Sequence, residues 1–253
     1  VIAIDTRQPD RTHWRELIAE QPMTLEDASI VGDQLFLRYL TDARSQVRVH
    51  DLDGRLLREI DLPGLGSAEG FDGRRRDRET FYSFTGYTFP TSIYRYDLAT
   101  GRSDLFRRCA VDFDPESYET EQVFFASKDG TRVPMFLTHR RDLALDGQNP
   151  TLLYGYGGFQ ISMEPWYSRG MGAAWYSRGG VLVVANIRGG GEFGPRWHQA
   201  AIREHKQRSY DDFIAVAEDL IERRITSPRR LGIMGGSNGG LLMGVALTQR
   251  PDL

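Results

Sequence analysis

Apolar and polar residues alternate through most of the first 110 positions, and the pattern repeats. Val1-Ile-Ala-Ile-Asp5, Val47-Arg-Val-His-Asp51 and Ile93-Tyr-Arg-Tyr-Asp97 are alternating runs closed by an aspartate, spaced 46 residues apart each time. The second and third continue alike, as Leu52-Asp-Gly54-Arg55 and Leu98-Ala-Thr-Gly101-Arg102, and each enters another short strand, Leu56–Ile60 or Ser103–Phe106. Period-2 strands joined by Asp-Gly or Thr-Gly turns predict hairpins. A repeat of this length with several strands per unit predicts β-propeller blades. Little more than two blades fit in this stretch, fewer than a propeller needs to close.

From about Val111 the period changes. Runs 121–127 and 132–138 flank Lys128-Asp-Gly-Thr131, which predicts another hairpin. Beyond the polar link 140–150, the segments 151–156, 181–187 and 231–234 are short apolar runs of the kind buried in a parallel sheet. Residues 210–224 place Phe213, Val216, Ala217, Leu220 and Ile221 on one helical stripe. Asp211 and Asp212 at its start and Arg223 and Arg224 at its end suit the helix dipole. The expected architecture is β-propeller blades (1–110) followed by α/β (111–253), a doubly wound sheet that, with the Gly-Gly-Ser237-Asn-Gly turn after its last apolar run, reads as part of an α/β-hydrolase fold.

Composition changes this picture little. Apolar content of 40% and charged content of 26% place the chain among ordinary globular proteins. A net charge of −3 supplies no field for a polyanion, so nucleic acid is not an expected partner. No apolar run approaches membrane-spanning length, so no membrane partner is expected either. The single cysteine, Cys109, can form neither an internal disulfide nor a thiolate metal cluster. The chain starts in mid-pattern without methionine and stops at Leu253, sixteen residues after Ser237. It therefore reads as an internal piece of a longer protein.

The chemistry concentrates at Gly235-Gly236-Ser237-Asn238-Gly239-Gly240, between an apolar strand and a helical segment. This is the G-x-S-x-G nucleophile elbow in its required setting. Glycines let strand and helix approach around a strained serine, and the helix N-terminus supplies N–H groups to a developing oxyanion. Tyr154-Gly-Tyr156-Gly-Gly158-Phe159 ends an earlier strand where the second oxyanion donor is expected, from a backbone N–H or a tyrosine hydroxyl. Gly189-Gly-Gly-Glu192-Phe-Gly194 formally matches a dinucleotide fingerprint. Pro195-Arg196-Trp197 follows where a helix must open, and Asp211 and Asp212 begin a helix rather than ending a strand, so an ordered loop is expected instead.

A serine nucleophile needs a histidine base and a carboxylate to orient it, in this fold downstream of the serine. After Ser237 the sequence contains Asp252 and no histidine. His13, His50, His139, His198 and His205 all precede it and read as surface or structural residues.

Together, Tyr154–Phe159, Ala185-Asn-Ile-Arg-Gly-Gly-Gly-Glu-Phe-Gly194, Trp197-His198, Gly235–Gly240 and Gln249-Arg-Pro-Asp-Leu253 make the chain resemble the prolyl oligopeptidase family of serine peptidases. Within that clan, Ser-Asn after the double glycine is similar to prolyl oligopeptidase proper. Oligopeptidase B, which cleaves after basic residues, typically has Ser-Ala there and a serine where Gly158 stands.

The resemblance implies that Ser237 is the nucleophile, and that the Asn238 N–H and the Tyr156 hydroxyl are the oxyanion donors. Phe159 would form an aromatic wall of the proline pocket. It implies a monomeric cytoplasmic or periplasmic enzyme that hydrolyses short proline-containing peptides without metal or organic cofactor, with the propeller restricting entry. The triad aspartate and histidine would lie beyond Leu253, so this stretch alone would be inactive. Two other readings stand beside it: an oligopeptidase of different specificity, such as oligopeptidase B-like, and a peptide-binding pseudo-hydrolase if the natural chain stops here.

Overall fold

The computed structural model describes residues 1–111 and 114–253. Strands β1 (Ile2–Ala3) and β2 (Arg15–Glu16) pair antiparallel. They precede two four-stranded antiparallel sheets. The first runs β3 (Thr24–Val31), β4 (Gln34–Thr41), β5 (Arg44–Asp51), β6 (Leu56–Glu59), and the second β7 (Ser67–Asp72), β8 (Glu79–Thr85), β9 (Ser92–Asp97), β10 (Ser103–Arg108). Each sheet is a meander of sequential neighbours, as propeller blades are.

The repeat in the sequence is a repeat of position. Val47–Asp51 and Ile93–Asp97 lie in the third strands of successive blades. Val1–Asp5 contains β1, which pairs with β2 as β5 pairs with β6. The closing aspartates turn the chain: Asp51 Oδ1 accepts the N–H groups of Asp53 and Arg55, Asp97 Oδ1 that of Thr100, and Asp5 Oδ1 that of Arg7. These Asx turns are the physical content of the motif. Between the blades Phe36, Phe71, Tyr82 and Tyr94 stack in series at 5.7, 4.6 and 5.3 Å. Each such aromatic pair contributes roughly 0.5–1.5 kcal/mol beyond its burial.

After a 3-10 turn at Pro115–Ser117, five strands form one mixed sheet: β11 (Tyr118–Ala126), β12 (Arg132–Arg140), β13 (Thr151–Gly155), β14 (Val181–Ala185) and β15 (Leu231–Met234). Their order is β11-β12-β14-β13-β15, with β14, β13 and β15 parallel. The path from β13 to β14 runs one way, and the crossover through α1 (Pro195–Gln199) and α2 (Gln207–Glu222) returns over β13 to β15. That reversal makes the sheet doubly wound. The final element is α3 (Asn238–Gln249).

β14 is apolar at every position because both its faces are covered. Val181, Val183 and Ala185 join a core with Phe213, Val216 and Leu220 of α2. Leu182 and Val184 face a second core that includes Tyr176, Phe136 and two residues of the blade region, Ala43 and Tyr87. The blades also meet the α/β region through polar contacts. Ser67 Oγ donates to the Pro165 carbonyl at 2.7 Å, Arg38 pairs with Glu164 at 3.5 Å, and the Tyr167 N–H reaches Thr85 Oγ1 at 3.2 Å.

Two expectations change. The helix expected at 210–224 begins at Gln207, so Asp211 and Asp212 lie inside α2 rather than at its positive end. Asp212 is fully buried; a buried ion pair, not the helix dipole, selects it. A helix also opens after Gly194, with Pro195 at its first position, where the sequence suggested none. It lasts five residues.

Candidate active site

The sharp turn between β15 and α3 dictates its own sequence. Ser237 sits at φ 54° and ψ −118°, a conformation L-residues rarely adopt and one that stores strain. A Cβ at Gly235 would lie 2.7 Å from the Gly239 carbonyl and 2.8 Å from that of Gly155. One at Gly239 would lie 2.6 Å from the Gly155 carbonyl. The outer glycines of G-x-S-x-G are thus required by the closeness of strand, helix and the end of β13, whereas Gly236 has open space around it. Ser237 itself is exposed. The N–H groups of Gly239, Gly240 and Leu241 bond to the carbonyls of Gly236 and Ser237, and none of those bonds uses the Asn238 N–H.

The loop after β13 packs onto this turn. Asn238 Nδ2 donates to the Tyr156 carbonyl at 2.5 Å. Gly157 has φ +59° and presses on Ile187, where a Cβ would come within 2.5 Å of a side-chain carbon. Phe159 follows at φ 54° with 73% of its surface exposed. The structure therefore ties the Ser237-Asn238 turn to the backbone of Tyr156 and holds Phe159 on the adjoining turn with an uncovered ring.

The Gly189–Gly194 loop supports the Tyr156–Gln160 segment from beneath. His198 Nδ1 lies 2.7 Å from the Gly189 carbonyl and 3.1 Å from the Gln160 N–H. The space at Gly190 is filled by the Glu192 carboxylate, 2.2 Å from a would-be Cβ, and that at Gly191 by the Gln160 carbonyl. No pyrophosphate could approach that backbone, which removes the dinucleotide reading.

Four ionisable groups went unread in the sequence: Arg188, Asp212 and Glu192, which are buried, and Lys206, which is partly buried. Arg188, at the end of the β14 segment, donates to Asp212 through Nε (2.9 Å) and Nη2 (2.6 Å) and to Asp129 through Nη1 (2.6 Å). The pair raises the arginine and holds Asp129 well below the ordinary carboxylate range. Glu192 is 1% exposed, and burial pushes its carboxyl up to about 7, with the Met163 N–H and the Asn186 amide pulling it partly back. Lys206 points at Gly157 and is lowered by burial. The motif that contains Arg188 and Glu192 was visible, but their partners are remote in sequence and no local period marks them.

None of the five histidines is hydrogen-bonded to Ser237 among the described residues. His50 and His139 are buried in strands, and His139 Nδ1 contacts the Arg140 carbonyl at 2.6 Å. The donor atoms of Glu119, Glu121 and His139 lie within 4.8 Å of one another, but on β11 and β12 at the far edge of the sheet from β15. Arg141 already pairs with Glu119 there, at 3.2 Å. No helix among the described residues is long and apolar enough to cross a membrane.

Propeller blades joined to a doubly wound sheet with a strained serine at the strand-to-helix turn define an α/β-hydrolase architecture with a propeller partner. The model for the prolyl oligopeptidase N-terminal β-propeller domain matches residues 1–108, and that for the prolyl oligopeptidase family matches 166–253. The chain belongs to the prolyl oligopeptidase family. It is 43% identical to a prolyl endopeptidase of Elizabethkingia meningoseptica over 98% of this chain and 35% of that protein. A solved structure from work on two prolyl endopeptidases and their inter-domain dynamics superposes with TM-score 0.93 at 48% identity, over 99% of this chain and 37% of the other. Prolyl oligopeptidase B of Galerina marginata, bound to a 35-residue hydrolysis and macrocyclization substrate, superposes with TM-score 0.89 at 31% identity, over 98% of this chain and 35% of its own. The chain thus spans about a third of the length of these relatives.

Proposed function

We propose that this chain is part of a serine peptidase that hydrolyses short peptides on the carboxyl side of proline. Ser237 Oγ attacks the scissile carbonyl, and an acyl-enzyme forms as the amine leaves. The tetrahedral oxyanion accepts hydrogen bonds from the Asn238 N–H and the Tyr156 hydroxyl, and Phe159 offers its uncovered ring to the proline. Proline suits an apolar aromatic slot because its ring is rigid and it brings no N–H to satisfy. The histidine and aspartate of the triad come from chain outside these residues, so the 253 residues alone are inactive. We divide the chain between residues 110 and 111, and assign the protein to a monomeric cytoplasmic or periplasmic enzyme acting on proline-containing peptides.

The observation that carries this reading is the strained Ser237 at the start of α3, tied through Asn238 to the carbonyl of Tyr156. The peptide-bound relative from Galerina and the bacterial prolyl endopeptidase support the choice of substrate. The test compares p-nitroanilide reporters ending in proline and in arginine on the full-length protein, with Ser237→Ala as control. Proline preference that vanishes in the control supports the reading. Arginine preference replaces it with an oligopeptidase B-like activity, and binding of proline peptides without turnover replaces it with a pseudo-hydrolase.

A further inference from the structure

Lys206 closes the 3-10 turn Arg203–His205 and directly precedes α2. Its Nζ donates to the Gly157 carbonyl at 2.5 Å and to Ser209 Oγ at 3.3 Å, and lies 5.7 Å from the centre of the Tyr210 ring. No carboxylate among the described residues lies within ion-pair distance of it. Partly burying an ammonium without a counter-ion carries a cost, and burial does lower its proton affinity. A charge-assisted bond to a carbonyl is the compensation the geometry provides.

The carbonyl it holds is the significant one. Tyr156 and Gly157 present successive carbonyls, and each is gripped by a side chain at the start of a different helix. Tyr156 O accepts from Asn238, the first residue of α3, and Gly157 O accepts from Lys206, the residue before α2. Ser209, which is buried, donates to the Arg188 carbonyl at 2.6 Å and so ties the same junction to the end of the β14 segment. With φ +59° at Gly157, the loop turns between these two anchors. We infer that Lys206 is a positioning residue that fixes the Tyr156–Gly158 turn, and thereby the Tyr156 hydroxyl, for oxyanion stabilisation. The inference rests on the proposed role of Tyr156. A lysine suits the task because its long stem reaches across the loop from α2, and its single charge binds one carbonyl strongly.

The test uses the full-length protein and a glycyl-proline p-nitroanilide, with Lys206→Met, Tyr156→Phe and the double variant. Misplacing an oxyanion donor by about 1 Å costs on the order of 100-fold. Lys206→Met is expected to lower kcat by roughly 10- to 100-fold with KM little changed. The double variant is expected to be no slower than the slower single, and Lys206→Arg, which keeps a cationic donor, to recover part of the rate. Inhibition by a peptide prolinal, whose hemiacetal oxygen enters the oxyanion site, should weaken in parallel, while binding of the peptidyl-proline product should not. A wild-type kcat in Lys206→Met, or additive losses in the double variant, overturns the inference. If Lys206→Met does not fold, Lys206→Gln is read by the same criteria. A wild-type rate in Tyr156→Phe is a different failure, because it removes the oxyanion reading itself.

Discussion

A Cβ atom placed on Gly158 would lie 2.5 Å from the side-chain nitrogen and 2.7 Å from the Cγ of Asn238. The two residues are 80 positions apart, yet the size of one sets the limit on the other. The amide that fills this space is the one that grips the Tyr156 carbonyl, so the steric pair is also the clasp between the Ser237 turn and the neighbouring loop.

This pair gives the first prediction. In the full-length protein, Gly158→Ser should push the Asn238 amide off Tyr156 and reduce kcat/KM by roughly tenfold or more. Adding Asn238→Ala removes the obstructing amide and should recover part of that loss, a coupling that a double-mutant cycle measures directly. Strict additivity would show that the two side chains do not compete.

Strain at Ser237 gives the second. Glycine adopts φ 54°, ψ −118° freely, whereas serine pays for it there. Ser237→Gly should abolish acylation and raise the stability of the folded protein by about 1 kcal/mol, the relief of strain being partly offset by the flexibility glycine adds to the unfolded chain. Urea unfolding of the variant beside Ser237→Ala separates this gain from simple loss of the hydroxyl.

Asp212 gives the third. It is fully buried and accepts from Arg188 Nε and Nη2, from the Arg188 backbone N–H at 3.0 Å, and from Ser127 Oγ. Asp212→Ala leaves Asp129 as the arginine's one carboxylate partner among the described residues and should destabilise the protein by about 3–5 kcal/mol, the usual cost of breaking a buried pair from one side. A chemical-denaturation midpoint within error of wild type would remove this network from the core of the fold.

Glu192 sets a pH dependence. The folded protein holds its proton up to about pH 7, whereas in the unfolded chain the group titrates near its ordinary value of 4.5. Its contribution to stability is therefore full below the unfolded value and is lost as pH rises through about 7. Glu192→Gln keeps a neutral side chain throughout. It should match wild type at low pH and become more stable than wild type by pH 8, by an amount on the order of 1–3 kcal/mol. Parallel stability curves for the two proteins between pH 5 and 8 would contradict this.

The sequence by itself determined the elements and the place of the sharp turn at Ser237, because both are local. Alternation marks strands within a few residues, the aspartate-closed repeat marks blade positions, and glycines around Ser237 answer to a turn made by neighbouring residues. Helix α2 was legible from its stripe of Phe213, Val216, Ala217 and Leu220, all of which are buried. Its start was not, because Gln207 carries no capping signal and the turn before it joins the helix directly. Only the tertiary structure decided what Asp212, Arg188, Glu192 and Lys206 do. A buried charge is tolerated only by partners that satisfy it, and here the partners are 24, 59 and 49 residues away or lie on another loop. Folding supplies that pairing, and no local pattern of apolar and polar positions encodes it.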